Sequence, residues 1–356
     1  MRTPIQRMNR MLMLVSAPFI GLFFFLLAAS YPTDITYEIQ STATPNDWKQ
    51  STAAINTQLD EASTTAKFTI DSIRKVATLY QKTTSTMNAI VNQSTIQAAR
   101  PEKIYNTRIT KRLGGASERV DSENITMELY RINQSTYEGY AVKIKLKDPK
   151  AMKMVLGHDT VGRAETTMQA VKRHGAAAGI NAGGFADGGG GRYPLSTTVM
   201  NGKYVNGGFE ASYKDLSFVG LNKQGQLIGG KFQSKSQLDR LEPSFGATFV
   251  PVLLTHGVKN PIPDKWKGSP SRAPRTVIGN YKDDQLLVMV INGRNENGSS
   301  GATLMELQNK LANLGVVDAY NLDGGGSSSL IFNGRVVNSP SDGQLRPVPT
   351  HFLFFK

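Results

Sequence analysis

The sequence contains no cysteine. Disulfides, thiol nucleophiles, iron–sulfur clusters and thiolate zinc sites are therefore excluded. Histidine is nearly as scarce, with four residues at 158, 174, 256 and 351, and no two share the short helical spacing of a zincin motif. Acidic residues are also in short supply: 28 Asp and Glu face 41 Lys and Arg, for a formal charge of +13. That excess favours anionic partners such as nucleic acid, lipid head groups or phosphate-rich polymers. Hydrophobic residues at 39% and 34 glycines together make an ordinary globular share of 356 residues. Wholesale disorder is excluded, and there is room for one large domain or two.

Long hydrophobic runs are absent except at the start. Arg2, Arg7 and Arg10 precede an uncharged stretch from Met11 to Ser30 that includes Phe23, Phe24, Phe25, Leu26 and Leu27. At about 1.5 Å per residue this run covers about 30 Å, the thickness of a bilayer's hydrocarbon core. The basic flank places the tip in the cytoplasm and everything after Tyr31 outside the cell. A cleaved signal peptide ending near Leu27-Ala28-Ala29 is the alternative. The expectation is an uncleaved single-pass anchor (residues 1–31) that touches the lipid bilayer through residues 11–30 and leaves the C-terminal domain extracellular. Export removes nucleic acid from the list of partners.

Residues 33–48, with Pro45, read as a linker. From Ile55 a 4–3 spacing then runs through Leu59, Ala62, Ala66, Thr69, Ile73, Val76, Tyr80, Thr83, Met87 and Ile90 to Ser94. This is a heptad seam with no internal Gly or Pro, so a helix of about 60 Å is expected, ending at Pro101. Five of the twelve seam positions are Thr, Ser or Ala. Loose self-association of a stalk and packing on the domain both remain open. Linker and stalk thus occupy 32–100, and the functional domain 101–356.

After Arg100 the texture changes. Ile125–Leu129 and Tyr140–Leu146 alternate with period two, as half-buried strands do. Further strand-like runs are Phe218–Leu221, Gln226–Phe232, Thr248–Leu254, Thr276–Tyr281, Leu286–Ile291, Ser329–Phe332 and His351–Phe355. Only Asp159–His174 and Ala302–Leu314 look helical, the latter with Leu304, Leu307, Leu311 and Leu314 on one face. Many short strands with few helices predict an α+β fold of mixed, largely antiparallel sheets. Gly225–Lys231 has P-loop spacing, but Phe232 stands where Ser or Thr would hold magnesium, so a hairpin is expected.

Three segments point to chemistry. In the first, a strand ends in Asn181-Ala-Gly183-Gly184-Phe185 and glycines 188–191, where backbone amides can approach a ligand. The second is the apolar strand Leu286–Ile291, which ends in Asn292-Gly293-Arg294. A Ser/Gly loop then opens the helix carrying Glu306, which is either a capping carboxylate or a residue facing the site. The third, Asp318-Ala-Tyr-Asn321-Leu-Asp323-Gly324-Gly325-Gly326-Ser327-Ser328-Ser329, puts a carboxylate at a strand end with small neighbours. A calcium loop is the rival reading there; no cofactor is otherwise expected. Arg272, Arg275, Arg294 and Arg346 lie beside these segments and suit phosphate recognition.

On these residues the chain resembles the phosphodiester glycosidase family, which includes a lysosomal enzyme that removes N-acetylglucosamine from a sugar phosphodiester and many bacterial envelope proteins. The resemblance covers about Val155–Lys356. It rests on Gly179-Ile-Asn-Ala-Gly183, Ala273-Pro-Arg275-Thr-Val-Ile-Gly279 and Asn292-Gly-Arg294 with the downstream Gly-Ala-Thr-Leu and Glu306. Asn321-Leu-Asp323-Gly-Gly-Gly-Ser-Ser328, and Arg346 before the closing strand, complete it. Where the family usually has Asp-Gly-Arg, this chain has Asn292-Gly-Arg294. The resemblance implies an α+β fold, hydrolysis of a sugar-1-phosphodiester of the GlcNAc-1-phosphate type in an envelope polymer or exopolysaccharide, and a phosphate-containing glycan as partner. It also implies that Asn181, Arg275, Arg294, Asp323 and Ser327 line the site, with Gly183, Asn292, Gly324, Gly325 and Arg346 beside them. Asp323 is the first choice for the catalytic carboxylate and Glu306 the second. A non-catalytic module that binds phosphorylated glycans is the alternative.

Overall fold

The computed structural model describes residues 20–26, 45–268, 271–293 and 300–356. Most of the expected anchor at 11–30, the expected linker up to residue 44, and Arg294 lie outside the described residues. Among the described residues, no helix is long and apolar enough to cross a membrane.

Helix α1 runs from Pro45 to Leu113, so the last part of the expected linker is already helical. Proline is at home in a first turn, where no partner for its missing N–H exists. Pro101, expected to end the helix, lies inside it. One lost backbone bond is outweighed because the following turns dock: Ile109 and Leu113 are buried in a core cluster that Tyr105 also joins. The chain divides between Asn92 and Gln93 into two compact units.

In the second unit, an eight-stranded antiparallel sheet runs in the order Glu118–Asp121, Ile125–Asn133, Glu138–Leu146, Leu286–Ile291, Arg275–Asn280, Asp318–Leu322, Val252–Thr255, Val258–Lys259. Leu286–Ile291 is buried at every residue. An unbroken apolar run of this kind belongs to a strand covered on both faces. One face meets the end of α1 and helix α4 (Leu304–Leu314), whose Leu304, Leu307, Leu311 and Leu314 are buried as their spacing predicts. The other face meets two five-stranded sheets through Met127, Ile144, Val288, Ile180, Phe352 and Phe245. One of these sheets is built on Ala178–Asn181, Thr350–Phe354 and Leu330–Phe332, the other on Ser217–Asn222 and Pro243–Phe249. The α+β expectation therefore holds, with every strand pairing antiparallel among the described residues.

Two element boundaries differ from expectation. The helix expected over Asp159–His174 is α2, Thr167–His174 only, and a short α3 follows at Lys235–Asp239. Its start is set by the Thr166–Gln169 capping box, and His158, Asp159 and Gly162 before it have positive φ. The run Thr248–Leu254 is split into strands ending at Phe249 and starting at Val252, because Pro251 has no N–H for a ladder. Gly225 turns the expected hairpin between Ser217–Asn222 and Leu227–Gly230.

A buried ion pair ties α1 to the sheet. Lys143 Nζ lies 2.7 Å from Glu128 Oε2 and donates to Asn106 Oδ1 of α1 at 2.7 Å, while Tyr130 donates to Glu128 Oε2 at 2.7 Å. Glu128→Gln leaves the buried ammonium without a carboxylate and is expected to destabilise the protein by about 3 kcal/mol in urea unfolding. A loss below about 1 kcal/mol, the size of an exposed pair, would contradict this account of the helix–sheet junction.

Candidate active site

Asp323 follows the strand Asp318–Leu322 and is placed by contacts with the other main sheet. Its amide donates to Ala182 O (3.0 Å), and Asn181 Nδ2 donates to its carbonyl (2.6 Å). Asn181, fully buried at the end of Ala178–Asn181, also accepts from Thr276 Oγ1 (2.8 Å) and from the Ser329 amide (3.1 Å). One side chain thus joins the ends of three strands. The first and third segments singled out in the sequence meet here, together with Thr276 from the Ala-Pro-Arg-Thr motif. Thr350 Oγ1 accepts from Gly183 N (3.1 Å) and adds the C-terminal strand.

After Asp323 the chain makes a tight turn over Gly324–Ser327. Gly325 has φ +57°, in the left-handed region that favours glycine, and donates to Pro274 O at 2.9 Å. A Cβ on Gly324 would lie 2.9 Å from that same oxygen. The turn therefore rests on Pro274-Arg275. Arg275 is 6% exposed, its Nε donates to Ala302 O (3.3 Å), and its Cδ would lie 3.9 Å from a Cβ on Gly324. Burial lowers its pKa, yet a guanidinium stays charged. On the other side, Arg346 and its ion-pair partner Asp342 (2.8 Å) abut Gly326. Two cations thus border the turn that carries the carboxylate.

Burial raises the Asp323 carboxyl to about 6; the Ser327 hydroxyl, the Gly324 amide and the Arg346 charge pull the other way without cancelling it. Oδ1 accepts from the Gly324 amide at 3.0 Å. Oδ2 is buried without a partner, and so are Ser327 Oγ and Ser328 Oγ, so Ser327 influences the carboxylate without reaching hydrogen-bonding geometry. Buried polar atoms are nearly always paired in folded proteins. Three orphans on one turn mark a place where a polar ligand or water completes the structure.

Other expected site residues serve as supports. Asn292 donates to Glu138 Oε1 (3.3 Å) and accepts from Ser339 N (2.9 Å), so it tethers the segment before Arg346 and is not open to a substrate. The aspartate usual in the family would repel Glu138 at this position. Gly293 packs against Pro274 and Ser341, bringing the second segment beside the same turn. Glu306 is the capping carboxylate of α4: it accepts from Thr303 N (2.8 Å), Thr303 Oγ1 (3.0 Å), Thr136 Oγ1 (3.1 Å) and Arg272. Although burial pushes its pKa up, the Thr303 amide, Arg272 and the two hydroxyls hold it below the ordinary value. Every oxygen is engaged, which corrects its expected role as second catalytic carboxylate. Glu306→Gln is expected to cost about 1 kcal/mol of stability and leave turnover within about threefold; a hundredfold loss of kcat would return Glu306 to the chemistry.

The glycine run at 188–191 is the turn of a hairpin between Phe185–Gly188 and Gly191–Pro194, closed by Arg192 on Asp187 (3.0 Å) and on Pro347 O. Of the oxygens a calcium loop would draw on, Asp318 Oδ1 accepts from His256 N (2.8 Å), while Asn321 donates its Nδ2 to Val250 O (2.5 Å) and keeps a buried, unpartnered Oδ1; among the described residues no group of three or more His, Asp or Glu could hold a metal. A cavity of about 700 Å³ beside Gly229, Pro251 and Tyr320 contains none of the expected site residues.

Residues missed by sequence reasoning are Thr276, Ser329, Thr167 and His351. Thr167 Oγ1 lies 2.6 Å from Ser329 Oγ and 3.2 Å from His351 Nδ1, so a buried polar chain runs from His351 to the residue bonded to Asn181. Burial lowers His351 to about 4, leaving it neutral. His351 also pairs with Asn181 across the sheet, and no local sequence signal announces that pairing.

These strand ends, gathered under a glycine turn with a buried carboxylate and flanking arginines, belong to a recognisable class. Residues 174–355 match the phosphodiester glycosidase family, and the chain belongs to it. Among its relatives is the N-acetylglucosamine-1-phosphodiester alpha-N-acetylglucosaminidase of Bos taurus, 28% identical over 171 residues, which are 43% of this chain and 32% of that protein. The Homo sapiens enzyme of the same name is 40% identical over 68 residues, 19% of this chain and 13% of the other. An uncharacterized SPbeta prophage-derived protein of Bacillus subtilis is 35% identical over 83 residues, 23% of this chain and 13% of its own length. The chain thus spans about a third or less of these relatives. The zebrafish enzyme's catalytic domain, auto-inhibited by its pro-peptide, shares the fold: TM-score 0.55, 19% identity, 68% of this chain and 87% of that one.

Proposed function

We propose that the chain hydrolyses a glycosyl-1-phosphodiester at the anomeric C–O bond, with N-acetylglucosamine as the sugar, the substrate class that the mammalian relatives' names state. The observation that carries this reading is the Asp323 carboxyl, raised to about 6 by burial with one oxygen unpartnered, on a turn bordered by Arg275 and Arg346. Phosphate leaves readily, so little proton donation to the leaving group is needed. Arg275 and Arg346 take up the phosphate charge as the C–O electron pair passes to the phosphate oxygen. Ionised Asp323 either stabilises the oxocarbenium-like centre or accepts a proton from the attacking water. The products are the free sugar and a phosphate monoester.

The uncharged run at 11–30 behind Arg2, Arg7 and Arg10 supports a membrane anchor with the catalytic unit on the extracellular side. A net charge of +13 supports capture of a phosphate-bearing envelope polymer or exopolysaccharide. The full chain in detergent, incubated with a GlcNAc-1-phosphodiester, is expected to release free GlcNAc. Binding without release would favour a phosphorylated-glycan-binding module instead.

A further inference from the structure

The heptad seam of α1 supports a more specific reading than loose self-association. Between Ile55 and Ser94 every side chain is exposed except half-buried Ser72; Ile73 is 62% and Val76 65% exposed. Threonine-rich helices are weak formers and draw their stability from packing. With Leu59, Ile73 and Met87 in the a positions and Ile55, Val76 and Ile90 in the d positions, all charged residues of this stretch, from Asp60 and Glu61 to Lys82, fall at b, c or f. The flanking e and g positions carry no charge and include Ile70, Leu79 and Val91. An uncharged band four positions wide therefore faces one way, and charges of both signs face the other.

Its threonines suit burial. Thr69 and Thr83, both at d, donate to the carbonyls of Thr65 and Leu79 at 2.8 Å, and Thr65 and Thr86 at g donate to Glu61 and Lys82 at 2.9 Å. Each hydroxyl proton is satisfied within its own helix, so the methyl group can face a partner without an orphaned donor. Five of the six d residues are β-branched (Ile55, Thr69, Val76, Thr83, Ile90). That choice disfavours a two-stranded coil and favours three or four strands. A lipid surface fits less well, since interfacial helices concentrate Lys and Arg on the polar face, whereas here Asp60, Glu61 and Asp71 accompany the basic residues.

We infer that residues 55–94 of three or more copies of this chain associate in register as a parallel bundle; the parallel sense rests on the proposed anchor at 11–30. The absence of native cysteine makes a direct test available. In the full chain in detergent micelles, single cysteines at the d positions (Ile55→Cys, Val76→Cys, Ile90→Cys) are expected to oxidise to linked pairs at least about tenfold faster than Thr78→Cys at f, because disulfides need Cβ atoms about 4 Å apart. Sedimentation is expected to give three or more chains per micelle, falling to one in Ile73→Asp/Val76→Asp. One chain per micelle, equal rates at seam and outer positions, or an assembly unchanged by the double substitution would overturn the bundle. Linkage at only one of the three seam positions, or two chains per micelle, would overturn its parallel sense or its size. Sugar release is not read in any arm, so this outcome is independent of the catalytic reading.

Discussion

Asp323→Asn is expected to reduce GlcNAc release by about 10²–10⁴-fold and, at the same time, to stabilise the protein at neutral pH. The second effect follows from the pKa. An aspartate at about 6 in the folded protein, against its ordinary value of 3.8, binds its proton more tightly when folded. Its ionisation therefore destabilises the fold as pH rises from about 4 through 6. The penalty is fully present above the folded value and absent below the unfolded one, and amounts to about 2–3 kcal/mol. Asparagine removes it. Urea unfolding at pH 7.5 is expected to show the variant more stable than the wild type, with the difference vanishing near pH 3.5. Wild-type activity is expected to rise with pH through about 6, because the ionised carboxylate is the working form, and the variant is expected to lose that limb. A variant with full activity, or one less stable at neutral pH, would contradict the assignment.

Asn181→Asp is expected to damage both stability and turnover, through a different cause. The carboxylate can still accept from Thr276 and Ser329, but an oxygen replaces the Nδ2 donor and faces the Asp323 carbonyl that Asn181 held at 2.6 Å. A buried charge then stands against a carbonyl with its donor lost. A destabilisation of about 3–5 kcal/mol is expected at neutral pH, with a loss of kcat of at least about tenfold as the Asp323 turn loses its register. A variant within about 1 kcal/mol of wild type would mean that the three strand ends do not depend on Asn181.

Residues whose role follows from local pattern were legible in the sequence. Leu286–Ile291 as a doubly covered strand, the leucine face of α4 and Asp323 at a strand end needed only periodicity and side-chain size. Roles set by long-range partners were hidden. Nothing near Pro101 announces that Tyr105, Ile109 and Leu113 dock on the sheet and carry the helix past the proline. Glu306 reads equally well as cap or catalyst until Arg272 and Thr136 occupy its oxygens. Asn292 resembled a ligand-binding residue because Glu138 and Ser339, its partners, are remote in sequence. Thr276, Ser329 and Thr167 were overlooked for the same reason: a small hydroxyl acquires its function from the partner brought to it.

Hydrolysis of a GlcNAc-1-phosphodiester in water enriched in the heavy oxygen isotope tests the central claim most directly, because it identifies the bond that breaks. The account predicts a phosphate monoester that carries no isotope, since the anomeric C–O bond is cleaved and the phosphate keeps all its original oxygens. Isotope in the phosphate would show attack at phosphorus, and Asp323 would no longer be the group that meets the sugar.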